Sequence, residues 1–155
     1  MSTAPAKRIL VATDFFEGAE RALAAALGLG KSLGAAIDLV HVVAMPVPNT
    51  VSAVPGVVPM PQPDQGTLDE IRGRLDEVAA RVRSSGVECV PFSSIGGVPD
   101  EIVAHANRIG ADFIVVGTHG RTGIRRVLLG SVAEEVLRKA HRPVLIVPPP
   151  REAAI

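Results

Sequence analysis

The sequence contains no tryptophan, no tyrosine and only four phenylalanines among its 155 residues. Single-stranded nucleic acids bind proteins by stacking on aromatic side chains, so this scarcity argues against a protein of that kind. Charge of one sign is also lacking, because sixteen basic residues balance sixteen acidic ones. Without a basic excess, neither nucleic acid nor an anionic membrane surface is an expected partner.

Cysteine and long hydrophobic runs are scarce as well. The single cysteine, Cys89, cannot form an internal disulfide, which fits a reducing compartment. No apolar run is long enough to cross a bilayer, and the first residues lack the ordered regions of a signal peptide. We therefore expect a cytoplasmic protein. Its length predicts one domain, residues 1–150, with a tail at 151–155. Six prolines within 46–66 predict an irregular loop, either a lid over a ligand or a spacer.

Short apolar runs alternate with helical patterns along the chain, and this alternation predicts the fold. Strand-like runs occupy residues 8–13, 37–43, 87–92, 111–116 and 143–147. Helical spacing of apolar residues covers 17–33, 67–85, 99–109 and 131–140. Near-continuous apolar strands that alternate with helices form a parallel sheet covered on both faces. The predicted fold class is α/β, a single-domain, doubly wound sheet of five parallel strands.

Single residues refine this pattern. Pro91 cannot donate a ladder hydrogen bond, so the third strand should lie at a sheet edge. Thr67 and Glu70 form a capping-box pattern, which predicts that the second helix begins at Thr67. Gly34 and Gly110 are suited to end the first and third helices.

The segment after the fourth strand carries the most informative pattern in the chain. It reads Gly117-Thr118-His119-Gly120, then nine residues, then Gly130-Ser131. Glycines just past a strand allow backbone amides to approach a ligand, and a helix start presents N–H groups that suit an anion. We interpret the segment as a phosphate cradle. Ligands of parallel sheets bind outside the carboxyl ends of the strands, so Asp14 faces the cradle if strands one and four are neighbours.

These glycines and their flanks resemble the universal stress protein family, in its nucleotide-binding branch. The family signature is G-x2-G-x9-G-[S/T], and it occurs here as Gly117, Gly120, Gly130 and Ser131. Segments similar to the family's flanking units occupy 11–15, 39–42, 130–134 and 141–147. The resemblance implies a flavodoxin-like, adenine-nucleotide alpha-hydrolase-like sheet with strand order 3-2-1-4-5. It also implies a homodimer through the strand at 143–148, whose apolar residues would otherwise form an open edge.

The resemblance further implies an adenine nucleotide site. Asp14 would meet the ribose or the adenine, Val42 would offer its backbone to the adenine edge, and the glycine segment would surround the phosphates. The implied cofactor-binding residues are Ala12, Thr13, Asp14, Val42, Val116, Gly117, His119, Gly120, Arg121, Gly130, Ser131 and Val132. The cofactor would be ATP, or ADP or AMP. Mg²⁺ would be carried on the phosphates, because the chain supplies no carboxylate cluster to cage it. No catalytic residue and no metal ligand is expected.

Several of these residues keep a second interpretation. Ser131 and Glu134 form a capping-box pattern, so Ser131 caps its helix instead of, or in addition to, meeting a phosphate. Asp14 is equally suited to cap the first helix, since Phe16 stands where the family usually has a small capping residue. His119 either contacts a phosphate or is simply exposed.

The other histidines and the arginines near the glycines are interpreted in the same way. Arg121 belongs to a local basic cluster that supports the phosphates, forms an interface with a partner, or lies in solvent. His41, inside the second strand, is expected in the core, whereas His105 and His141 are expected at the surface. The four histidines show no metal-binding spacing. Cys89 is expected to be a small packing residue.

Three functions compete at this point. The first is an ATP-binding stress-response protein that works as a nucleotide-dependent switch or sensor. The second is a dimeric interaction module for an unknown protein partner, with a vestigial nucleotide site. The third is a weak ATPase. The chain lacks a P-loop lysine and a carboxylate pair near the glycines, so a dedicated enzyme is not expected.

Overall fold

The computed structural model describes residues 7–45, 55–56, 61–118 and 129–150. Within these ranges the strands are β1 (Arg8–Ala12), β2 (Ala36–Ala44), β3 (Cys89–Gly96), β4 (Phe113–Gly117) and β5 (Val144–Val147). The helices are α1 (Glu17–Leu33), α2 (Gln65–Ser84), α3 (Val98–Ile109) and α4 (Ser131–Lys139). No helix of the described segments combines the length and the apolar character needed to cross a bilayer.

The five strands form one parallel sheet in the order β3-β2-β1-β4-β5. β1 lies at its centre, and Ile9 pairs with Ile37 of β2 on one side and with Phe113 of β4 on the other. The fold class and the strand order are therefore confirmed. β3 lies at an edge, as Pro91 predicted, because a residue without an N–H is tolerated where one side of the strand has no neighbour.

Helices cover both faces of the sheet. Side chains alternate between the faces along each strand, so Val11 packs toward Leu75 of α2 while Leu10 packs toward Ile102 of α3 and Val136 of α4. These five side chains are at most 2% exposed. Each burial of this kind contributes about 1.5–3 kcal/mol to folding, which is why the strands are apolar on both sides.

Two helix ends agree with the sequence prediction. Gly34 and Gly110 adopt the left-handed conformation at the C-caps of α1 and α3, each with φ 63°. The amide of Gly34 donates to the carbonyl of Gly30, which satisfies one of the carbonyls that every helix end exposes. A glycine adopts this conformation without the steric cost of a Cβ, so the position favours it.

The predicted start of α2 was wrong. The helix begins at Gln65 and its N-cap is Asp64, whose carboxylate accepts the amide of Thr67 at 2.8 Å. Thr67 therefore lies inside the first turn rather than at the cap. Aspartate competes well with threonine for this position, and the capping-box spacing concealed the better candidate three residues earlier. The helix also occupies the end of the predicted loop 46–66, most of which lies outside the described residues.

The prediction that His105 lies at the surface was also wrong. Its side chain is buried between α3 and β3, and its ring stacks on Phe92 with centroids 4.1 Å apart and planes 7° from parallel. Burial lowers the pKa of His105 below its ordinary value of 6.5, and the positive charge of Arg108 adds to this effect.

Cys89 is buried in β3, in agreement with a packing role. Burial raises the pKa of its thiol to about 11. The thiolate is the reactive form of cysteine, so a thiol with this pKa is inert at neutral pH.

Candidate functional site

A pocket of about 530 Å³ opens at the carboxyl ends of β1, β2 and β4. Ala19 of α1 and Ile71 of α2 line one side, and Ile102 of α3 and Val132 of α4 line the other. In the sheet β2 and β3 lie on one side of β1, and β4 and β5 lie on the other. The pocket therefore lies where the strand order reverses. This is the position at which open parallel sheets bind their ligands, and the volume is in the usual range of roughly 300–1,000 Å³.

The pocket wall is mostly apolar. Three of its described residues carry polar side chains, namely Thr13, Asp14 and His41, and Asp14 supplies the one carboxylate. Neither lysine nor arginine appears among the described residues that line it. A wall of this kind suits a flat, largely apolar group with a few hydrogen-bonding atoms at its edge, and it offers no side-chain cation in the described part.

The structure brings most of the predicted site residues together. The seven that line the pocket are Ala12, Thr13, Asp14, Val42, Val116, Gly117 and Val132. Gly130 and Ser131 lie next to Val132 at the start of α4 but do not line the pocket. His119, Gly120 and Arg121 lie outside the described residues. These positions establish proximity, and the binding roles stay predictions.

Val42 presents its backbone to the pocket because β1 ends before it. The last hydrogen bond between the two strands joins the amide of Thr13 to the carbonyl of Val40 at 2.8 Å. In a parallel strand, backbone groups two residues apart point to the same neighbour. The N–H and C=O of Val42 therefore point to the side of β1, past its last residue and toward the pocket that Val42 lines.

Asp14 does not cap α1, so that interpretation of its role was wrong. The N-cap is Phe16, which makes no side-chain capping bond. Instead Oδ1 of Asp14 accepts the amide of Phe16 at 2.9 Å, and this bond forms a tight turn ahead of the helix. The carboxylate thus belongs to the turn after β1 and to the pocket wall, where it can accept hydrogen bonds from a ligand.

The two ends of the glycine segment meet at the start of α4. The amide of Gly130 donates to the carbonyl of Thr118 at 2.7 Å, although eleven residues separate them. Gly130 is the N-cap of α4, so Ser131 is the first helical residue and its predicted capping role was wrong. The amides of the first turn of a helix have no intrahelical partners and can bind an anion.

Sequence reasoning missed part of the pocket wall. His41 was interpreted as a core histidine, and Ile71, Val98 and Ile102 were not among the predicted site residues. The first could have been found from its position beside Val42 at the end of a strand. The three aliphatic residues gave no distinguishing signal, because a side chain that lines a pocket and one that fills a core follow the same periodicity.

Comparison with known proteins identifies the family. The sequence matches the Universal stress protein family over residues 5–148, and the chain belongs to this family. Universal stress protein MJ0577 of Methanocaldococcus jannaschii is 32% identical over 152 residues, which cover 91% of this chain and 94% of that protein. Universal stress protein YxiE of Bacillus subtilis is 32% identical over 148 residues, which cover 90% and 97%.

A solved relative carries a ligand. The universal stress protein from Archaeoglobus fulgidus in complex with dAMP is 26% identical to this chain, with a TM-score of 0.64. The alignment covers 91% of this chain and 96% of that one. Among the described residues of the present chain, no group of three or more His, Cys, Asp or Glu side chains is arranged to hold a metal ion.

Proposed function

We propose that this chain binds an adenine nucleotide, with ATP as its physiological ligand, in the pocket at the carboxyl ends of β1, β2 and β4. The pocket itself carries the proposal, because its position at the strand reversal, its volume and its apolar wall fit a nucleoside. The dAMP complex of the Archaeoglobus fulgidus relative supports the choice of adenine.

The ligand would lie with its adenosine half in the pocket and its phosphates at the start of α4. The backbone of Val42 would recognise the adenine edge, and the carboxylate of Asp14 would accept a hydrogen bond from the ribose or the base. The phosphates would extend toward Gly130 and Ser131, where the helix dipole and the first amides favour negative charge. In the proposal His119, Gly120 and Arg121 complete this phosphate end.

A regulatory role suits this arrangement better than catalysis. Asp14 is the one carboxylate among the described pocket residues, and it is bound to the amide of Phe16. A general base for water attack would need to be directed at the terminal phosphate, whereas Asp14 and His41, the titratable side chains of the described pocket wall, lie at the adenosine half in the proposal. We therefore propose a nucleotide-dependent switch or sensor in the cytoplasmic stress response, with at most slow hydrolysis. Mg²⁺ would be held by the phosphates.

A dimeric interaction module is the second candidate, and the edge strand β5 favours it. Leu145 is 40% exposed on this strand, and an apolar sheet edge that stays open invites pairing with another chain. A homodimer through residues 143–148 is compatible with the nucleotide site, which lies at the ends of the strands rather than along the edge.

The test is direct measurement of binding. We expect adenine nucleotide to be released from the freshly purified protein, and calorimetry to detect ATP, ADP or AMP but not GTP. Ala12→Leu would place a larger side chain in the pocket and weaken ATP binding by about tenfold or more. Ala24→Leu, at an exposed position on α1, is the matched control and should bind normally. The proposal fails if none of the three nucleotides binds or shifts the melting temperature.

A further inference from the structure

The turn that carries Asp14 into the pocket has an unusual backbone. Phe15 adopts φ 67°, a left-handed conformation that is rare for a bulky side chain and persists only where the surroundings enforce it. Two side chains of the turn itself contribute. Oγ1 of Thr13 accepts the amide of Phe15 at 3.0 Å, and Oδ1 of Asp14 accepts the amide of Phe16 at 2.9 Å.

His41 binds the same turn from the neighbouring strand. Its Nδ1 lies 2.7 Å from the carbonyl oxygen of Thr13. A carbonyl oxygen can only accept, so Nδ1 carries a proton and donates it. The amide of Thr13 also donates to the carbonyl of Val40 at 2.8 Å. Consecutive residues of β2 therefore hold Thr13 at both its N–H and its C=O.

The ring of His41 supports the turn a second time. It packs against the ring of Phe15 with centroids 4.8 Å apart and planes 31° from parallel. The guanidinium of Arg74, from α2, also lies over the Phe15 ring, 4.3 Å from its centroid. The aromatic side chain at the strained position is thus in contact with a strand residue and a helix residue, which ties the turn to two rigid elements.

We propose that His41 is a positioning residue for the nucleotide site. By donating to the carbonyl of Thr13, it fixes the turn in the one conformation that presents the carboxylate of Asp14 to the ligand. His41 acts through Asp14 and would do so for any ligand whose hydroxyl or amino group donates to that carboxylate. This inference rests on the proposed function and deepens it, because it assigns the recognition of the adenosine half to Asp14, in the turn after β1, together with His41 of β2.

The test separates the donor of His41 from its ring. His41→Phe keeps an aromatic ring against Phe15 but removes the donor, and we expect it to weaken ATP binding by about tenfold. His41→Asn places an amide N–H near the position of Nδ1 and should restore affinity to within about threefold of the wild type. A purely structural role would rank the two variants by stability, which thermal melting reports independently.

A double-mutant cycle tests whether the effect passes through Asp14. In an Asp14→Ala background the additional His41→Phe substitution should weaken ATP binding by less than about twofold, because the carboxylate that His41 positions is gone. A full tenfold loss in that background would overturn the inference, as would wild-type affinity in the single His41→Phe variant. If His41→Phe does not fold, His41→Leu replaces it as the donor-free variant.

The outcomes also separate this inference from the proposed function. A wild-type protein that binds neither ATP nor AMP contradicts both. A wild-type protein that binds ATP while the donor-free variants bind it equally well contradicts only the role of His41, and the nucleotide site stands.

Discussion

Gly117, the last residue of β4, lies directly against Gly18 in the first turn of α1. A Cβ built on Gly117 would lie 2.8 Å from the carbonyl oxygen of Gly18 and 2.9 Å from its carbonyl carbon. Contacts this short with backbone atoms cannot be relieved by moving a side chain. The first glycine of the signature is therefore required by the packing of strand against helix, in addition to any role in approaching a ligand.

Replacing Gly117 should for this reason destabilise the fold. We expect Gly117→Ala to lower the free energy of unfolding by about 1–3 kcal/mol, since either β4 or α1 must shift to admit the methyl group. Urea unfolding followed by circular dichroism measures the change.

The matched control is Gly73→Ala. Gly73 lies within α2, and apart from its own helical backbone nothing lies within 4 Å of its Cβ position, so alanine should leave stability unchanged or raise it by up to about 1 kcal/mol. Equal effects of the two substitutions would show that the contact with Gly18 does not limit the residue at 117.

Burial of His105 should make the protein sensitive to acid. The folded state lowers the pKa of His105 below 6.5, so the unfolded chain binds the proton more tightly. The contribution to stability is complete above pH 6.5 and is lost as the pH falls from 6.5 through the folded pKa. Urea unfolding at pH 7.5 and pH 5 should show this loss.

His105→Phe isolates the histidine in that experiment. Phenylalanine can keep the stacking on Phe92 and needs no hydrogen bond, whereas neither ring nitrogen of His105 has a partner among the described residues. We expect the variant to lose less stability between pH 7.5 and pH 5 than the wild type does. An unchanged pH dependence would contradict the assignment to His105 and point to other groups.

The N-cap of α2 can be tested in a similar pairwise way. Asp64→Ala should lower the melting temperature because the amide of Thr67 loses its acceptor, whereas Thr67→Ala should lower it less. The bond to the Thr67 amide lowers the pKa of Asp64 below 3.8, so the cap contributes fully above pH 3.8 and is lost as the pH falls below it. The reverse ranking of the two variants would restore Thr67 as the cap.

Arg142 should be a major contributor to stability. Its Nη1 donates to the carbonyls of Ala106 at 3.0 Å and Ala111 at 2.6 Å, at the end of α3 and the start of the following loop. Arg142→Met removes these two bonds together with those to the carbonyl of Ala140 and the side chain of Asn107, and it should cost about 2–3 kcal/mol in the free energy of unfolding. The exposed Arg138→Met on α4 is the control, with an expected change of less than about 0.5 kcal/mol. Similar losses in both variants would contradict the role of Arg142.

Much of the fold followed from short-range patterns. The alternation of apolar strands and helices predicted the parallel sheet, and Pro91 alone placed β3 at an edge. These predictions succeeded because helix periodicity, strand hydrophobicity and the lack of an N–H in proline act within a few residues of the chain. The strand order itself came from the family resemblance, and the pairing of β1 with both β2 and β4 confirmed it.

The errors at the starts of α2 and α4 came from choices between equivalent local signals. Asp64 and Thr67 are both good N-caps, and Gly130 and Ser131 are adjacent candidates for the same position. At α4 the start of the helix coincides with a hydrogen bond from Gly130 to Thr118, with eleven residues between them in the chain. The residues adjacent to Gly130 and Ser131 do not encode this contact.

The sequence by itself determined which segments become strands and helices, and which strand ends carry glycine and acidic residues. Only the tertiary structure decided that His105 is buried against Phe92, that residue 117 has no room for a Cβ beside Gly18, and that His41 holds the turn that carries Asp14. The physical reason is that each of these contacts joins residues distant in the chain. Their energies depend on how close two elements come after folding, which local propensity does not encode.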